Sequence, residues 1–233
     1  MSGRLAKPQL TLDLFNVARH DFASFIPGAN AEALAAVTAW SHGAGATIVH
    51  LRGAPATGKS HLLQAAIAAA GSGAMYVPLR EFVDAGADLL DDLDSVTLVA
   101  LDDIDACAGD ARWERGLFNL YNAVHAGGRR LLWSARAEPA FRLADLASRL
   151  RASLTYQLHE LADADKAEVL RGRARARGLA LPEAVIEFIM LRERRDLATL
   201  VALLDELDAV ALADGRAITV PLVREVLAAR AGG

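Results

Sequence analysis

Apolar residues recur along this chain in two rhythms. Runs at 46–52, 74–79, 96–101, 131–134 and 154–158 are almost continuously apolar and bounded by polar or glycine-containing stretches, the pattern of buried strands. Helical spacing fills the intervals, including Ala31 to Trp40 with Asn30 as its cap, and His61 to Ala70. Buried strands alternating with helices predict an α/β fold with a parallel sheet between helices. After about residue 160 the strand runs stop. Asp163 to Arg177, Pro182 to Leu191, Asp196 to Ala213 and Pro221 to Ala229 are helical patterns. Pro182 and Pro221 stand where first-turn prolines are tolerated, and Gly178 and Gly215 follow helix ends. Leu197, Leu200, Val201, Leu204, Leu207 and Val210 share one face at helical spacing, which marks core packing. The expected organisation is a tail over 1–20, an α/β domain over 21–160 and a small all-helical domain over 161–233, without an internal repeat.

Composition narrows this picture. Hydrophobic residues make up 53%, enough for a full core and against disorder. Cys107 is the only cysteine, which excludes a disulfide framework or cysteine metal cluster and suits a reducing cytoplasm. No apolar run follows Arg4 and Lys7, so no signal peptide is expected. The uncharged stretch from Ser60 to Leu79 is alanine-rich and broken by Gln64, Gly71-Ser72-Gly73 and Pro78, so it reads as helix plus strand, not a membrane span. The net charge is −4 and neither half of the chain is basic, which gives no electrostatic support to duplex DNA binding.

Gly53-Ala54-Pro55-Ala56-Thr57-Gly58-Lys59-Ser60 fits G-x-x-x-x-G-K-[ST], between an apolar strand and a helix. The glycines let the backbone curl so that successive N–H groups face a phosphate. Gly53, Ala56, Thr57, Gly58, Lys59, Ser60 and His61 are the candidate nucleotide-binding residues, with Lys59 on the β/γ-phosphates and Ser60 on Mg²⁺. The run Thr97 to Leu101 ends in Asp102 and Asp103. Asp102 is placed to hold Mg²⁺ through water, and Asp103 to polarise the attacking water, although aspartate is short for that role. Ser134 ends the fourth strand run with a hydroxyl that can face the γ-phosphate or the attacking water.

The loop, Asp102-Asp103, Ser134, Ser148-Arg149-Leu150 and a helical lid together resemble the AAA+ ATPases, and more narrowly the DnaA-type replication proteins and their short Hda-type relatives. The resemblance covers residues 20 to 230 and implies specific roles. Arg149 in Ser148-Arg149-Leu150 maps onto the arginine finger, and Arg195 in Arg195-Asp196-Leu197 onto the lid's sensor arginine. Asp165-Lys166, Arg173-Ala174 and Arg177-Gly178 resemble the first lid helix, and Phe25-Ile26 the segment that packs on adenine.

The resemblance also implies partners. Gln9-Leu10-Thr11-Leu12-Asp13-Leu14-Phe15 looks like the peptide by which bacterial proteins dock on the DNA polymerase III sliding clamp. There Gln9 supplies hydrogen bonds, while Leu10, Leu12, Leu14 and Phe15 give the apolar contacts. The chain stops at Gly233, which leaves no room for a helix-turn-helix after the lid, so no sequence-specific DNA binding is expected. The implied protein is cytoplasmic, uses ATP or ADP with Mg²⁺, self-associates as AAA+ modules do, and promotes hydrolysis of ATP on the DnaA initiator. The alternative is a helicase-loader-like or truncated-initiator ATPase on single-stranded DNA, which needs a basic surface after the second strand. That stretch has no Lys or Arg from Glu81 to Ala111, and carries Asp84, Asp88, Asp91, Asp92 and Asp94 instead.

Overall fold

The computed structural model describes residues 20–193 and 196–232. Five parallel strands form the sheet: β1 (Ile48–Arg52), β2 (Ala74–Pro78), β3 (Leu98–Asp102), β4 (Arg130–Ala135) and β5 (Leu154–Gln157). Their spatial order is β2-β3-β4-β1-β5. Helix α1 (Ala31–Ser41) precedes β1, and α2 (Lys59–Ala70), α3 (Leu79–Phe82), α4 (Ala111–Gly127) and α5 (Ala144–Ala152) fill the connections between strands. The lid consists of α6 (Asp163–Ala176), α7 (Glu183–Arg192), α8 (Leu197–Asp214) and α9 (Val220–Gly232). Among the described residues no helix is long and apolar enough to cross a membrane.

The central strands are buried on both faces, and period-two alternation divides them between two cores. Val99, Leu101, Leu131 and Trp133 pack with the α4–α5 side, whereas Val49, Leu51, Ala100 and Leu132 pack with α1 and α2. Helix α4 shows why such a segment is helical. Asp110 caps it by accepting from the Arg112 and Trp113 N–H groups. Trp113, Leu117, Leu120, Tyr121 and Val124 then give it one buried stripe, and left-handed Gly128 ends it.

Three details depart from the sequence reading. The β5 run lies at the sheet edge, where Leu154 is 47% exposed and only the following Leu158 is buried, because one side of this strand has no neighbour. The buried line of α8 runs through Leu200, Leu203, Leu204, Leu207 and Ala211, leaving Leu197, Val201 and Val210 half-buried. Asn30 does not cap α1 with its side chain. Its buried amide instead donates to the His159 carbonyl at 2.9 Å and accepts from the His159 N–H at 2.7 Å, joining the start of α1 to the strand–lid connection. A long-range pair of hydrogen bonds wins over the local cap because both backbone groups of His159 are satisfied at once.

Candidate nucleotide site

The strand order brings the site together, since β3, β4 and β1 are neighbours and their carboxyl ends carry Asp102, Ser134 and Gly53. The Gly53 N–H donates to the Ala135 carbonyl at 3.2 Å, which fixes the start of the phosphate loop against the end of β4. Ala56 (φ 61°) and Gly58 (φ 94°) are left-handed, so the loop reverses twice before α2 begins. A Cβ at Gly58 would lie 2.6 Å from the Phe25 ring, and one at Gly53 2.8 Å from the Leu158 carbonyl oxygen. Both positions therefore need glycine for space. Thr57 is buried and its hydroxyl donates to the Ala54 carbonyl at 2.9 Å.

Lys59 is buried and its Nζ donates to the Gly53 and Ala54 carbonyls at 2.7 and 2.8 Å. Burial lowers its pKa, opposed by the charges of Asp103, Asp102 and Asp105. A desolvated cation held only by loop carbonyls fits a triphosphate or diphosphate, whose oxygens are stronger acceptors. Ser60 is exposed on the first turn of α2. No cluster of three or more His, Cys, Asp or Glu groups suited to a metal occurs among the described residues. Ser60 would hold Mg²⁺ directly and Asp102 through water, with further water and phosphate oxygens completing its shell, as is usual for this ion. The nucleotide–metal pair would supply the reacting phosphoryl group and its charge neutralisation.

Asp102 is buried and fully engaged. Its Oδ2 accepts from the Tyr76 hydroxyl at 2.8 Å, and its Oδ1 accepts from the Ser134 hydroxyl. Burial and the Asp102 charge push the Tyr76 phenol well above its ordinary range, so it remains a donor. The Ser134 hydroxyl oxygen accepts in turn from the Asp103 N–H at 3.0 Å. Asp103 is in a left-handed conformation (φ 56°), a strained choice for a non-glycine residue. Its Oδ2 accepts from Arg80 Nε at 2.7 Å, while Arg80 Nη2 reaches Asp105 at 3.4 Å. Sequence reasoning passed over Tyr76 and Arg80. Tyr76 lies in the middle of β2 opposite Ala100, and Arg80 stands two residues beyond Pro78, the residue that pairs with Asp102.

The N-terminal segment lies on the other flank of the loop. Phe25 is buried against Gly58, and Ile26 beside it is half-buried. His61 does not turn toward the loop. Its Nε2 lies 2.9 Å from the Asp21 carbonyl oxygen, and its ring meets Phe25 edge-on at 5.3 Å and His20 at 4.7 Å. Burial lowers the His61 pKa, and burial with the neighbouring His61 charge lowers His20 to about 4. The charge of the lid's Arg173 also lowers the pKa of both imidazoles. Across the sheet, Arg149 is exposed on α5, far along the chain from the loop, with its guanidinium over the Tyr121 ring at 5.6 Å. Ser148 is also exposed, and Leu150 is buried. Arg195 and the peptide Gln9, Leu10, Leu12, Leu14 and Phe15 lie outside the described residues.

A five-stranded parallel sheet with a phosphate loop after β1, paired acids after β3 and a helical lid defines an ATPase module of the AAA+ class. Residues 17–160 match the family model of the bacterial DnaA ATPase domain, and residues 163–227 match that of the Hda lid domain. The chain belongs to the bacterial DnaA ATPase-domain family. Domain III of the Thermotoga maritima replication initiation protein DnaA is 20% identical and superposes with a TM-score of 0.77 over 88% of this chain and 93% of that one. AMPPCP-bound DnaA from Aquifex aeolicus, 20% identical, gives 0.67 over 82% of this chain and 65% of that one. The Thermotoga maritima RuvB Holliday junction branch migration motor, at 15% identity, gives 0.68 over 91% and 72%. These likenesses show the fold. This chain spans about two thirds of the AMPPCP-bound relative.

Proposed function

We propose that this DnaA-related AAA+ protein is a negative regulator of replication initiation that stimulates hydrolysis of ATP bound to DnaA. The carrying observation is Arg149. It is exposed on α5 within Ser148-Arg149-Leu150 and, like the exposed Arg112, Arg115 and Arg136, makes no ion pair among the described residues, whereas its neighbour Arg151 meets Glu138. An uncompensated guanidinium on an outer helix is what neutralising a neighbouring molecule's phosphates requires. The match of residues 163–227 to the Hda lid supports the same reading. The chain's own adenine nucleotide, ATP or ADP with Mg²⁺, sets the geometry between lid and sheet, as AMPPCP binding by a DnaA relative suggests. The peptide from Gln9 to Phe15 would dock on the sliding clamp and so tie the activity to replicating DNA.

The test is hydrolysis of DnaA-bound ATP with clamp loaded on DNA. Arg149→Ala should keep nucleotide affinity and lose stimulation, by up to the roughly 10³–10⁵ typical of arginine fingers. Lys59→Ala should abolish nucleotide binding in calorimetry, and removal of residues 1–15 should abolish clamp binding alone. Wild-type stimulation by Arg149→Ala would overturn the reading. One DnaA relative is described with single-stranded DNA, but here the segment after β2 exposes Asp84, Asp88, Asp91 and Asp92, which repel a phosphate backbone.

A further inference from the structure

Arg149 is held without being neutralised. Its guanidinium carbon lies 5.6 Å from the centroid of Tyr121, although Asp145 stands one turn earlier on the same helix. Tyr121 is 7% exposed, and its ring stacks on Trp133 at 5.8 Å with 28° between planes. Trp133 is fully buried in β4, in the middle of the sheet, and meets His50 of β1 edge-on. His125, one turn along α4, stacks parallel to Tyr121 at 6.3 Å. The ring under Arg149 is therefore fixed by the sheet core and cannot swing away.

From this geometry we infer that Tyr121 is a positioning residue for the arginine finger: its π face orients the Arg149 guanidinium toward the partner's nucleotide while leaving its charge uncompensated. The inference rests on the reading of Arg149 given above. A carboxylate in the same place would orient the guanidinium too, but it would cancel the charge and hold it with strong hydrogen bonds. An aromatic face restricts the cation weakly, so a phosphate oxygen displaces it readily. Burial of Tyr121 against Trp133 keeps that face at a constant height and angle. The role belongs to the ring and not to the phenolic hydroxyl.

The experiment titrates ATP-loaded DnaA with the full chain carrying Tyr121→Phe, Tyr121→Leu, a trifluorinated phenylalanine at position 121, or Arg149→Ala. Tyr121→Phe should match the original protein. Tyr121→Leu should lower the maximal stimulated rate about two- to fivefold, the range set by a cation–π contact. The half-saturating concentration and the chain's own ADP affinity should stay unchanged. The trifluorinated ring keeps the shape but quenches the π charge, so it should fall by the same factor even if the leucine variant fails to fold. A trifluorinated variant as fast as Tyr121→Phe overturns the inference, as does a Tyr121→Leu loss that appears equally in ADP affinity. Full rate in Tyr121→Leu with Arg149→Ala inactive overturns this inference alone. Full rate in Arg149→Ala overturns the finger reading with it.

Discussion

Asp103 is the proposed base for activating water, yet its carboxylate is already committed to Arg80 at 2.7 Å. A carboxylate held by a guanidinium is turned from its target. The pair is partly exposed, so its contribution to stability is small, about 1 kcal/mol or less. Its effect on chemistry is larger. Arg80→Ala should raise the chain's basal ATP hydrolysis by up to about 10²-fold, the low end of what a positioned base contributes. Steady-state phosphate release checks this, and an unchanged rate with nucleotide bound would show that Asp103 is not the limiting group. The phosphate loop was legible in the sequence because its chemistry is local: eight consecutive residues carry both the turn and the cation. Arg80 was not, because its meaning comes from the parallel register that sets Pro78 beside Asp102. The ring of His61 was likewise not placed by its position in the sequence. The residue follows the loop in sequence, but the helix turns its ring toward Asp21 and Phe25.

At the scale of elements, α5 matters because it carries Arg149, and its start is fixed by a residue on α4. Glu114 is buried and accepts from three backbone N–H groups: Gly109 at 2.7 Å, Arg142 at 3.1 Å and Leu143 at 2.7 Å. Burial alone would raise its pKa, but these N–H groups, with the Arg142 charge, outweigh burial and hold the carboxyl below its usual range. Glu114→Gln leaves one acceptor oxygen where two are used and turns an amide toward N–H donors. The expected cost is about 1–3 kcal/mol, or a Tm lower by about 3–10 °C. Stimulation of DnaA should fall more than ADP affinity if the loosened element bears the proposed finger, since it does not carry the phosphate loop; calorimetry beside the stimulated-hydrolysis assay separates the two. The strands and helices themselves were readable, since every strand run falls within two or three residues of a strand. What periodicity did not show was which strand is an edge or that Asn30 binds His159, since both depend on contacts between distant segments.

The whole molecule holds three imidazoles, His20, His50 and His61, with pKa values lowered chiefly by burial. His50 is the clearest case, 3% exposed in β1 beneath Trp133, with a pKa of about 4 and a buried Nε2 that has no hydrogen-bond partner. A histidine whose folded pKa is depressed leaves stability intact above its unfolded value of about 6.5. As pH falls below that value the unfolded chain takes up a proton that the folded chain refuses, and stability is lost until the folded group also titrates near 4. For His50 the shift corresponds to about 3 kcal/mol, a large part of the roughly 5–15 kcal/mol that holds a typical domain folded. His20 and His61 act in the same direction at a second place, where they fasten the segment from His20 to Phe25 over the phosphate loop. Acidification should therefore weaken the fold and the nucleotide site together between about pH 6.5 and 4. His50→Leu separates the contributions. Urea unfolding at pH 7.5 and 4.5 should show the variant losing about 2–3 kcal/mol less than the original chain across that interval. Equal losses in the two proteins would show that His50 is not a source of the acid sensitivity, and would move its origin to the imidazoles beside the loop.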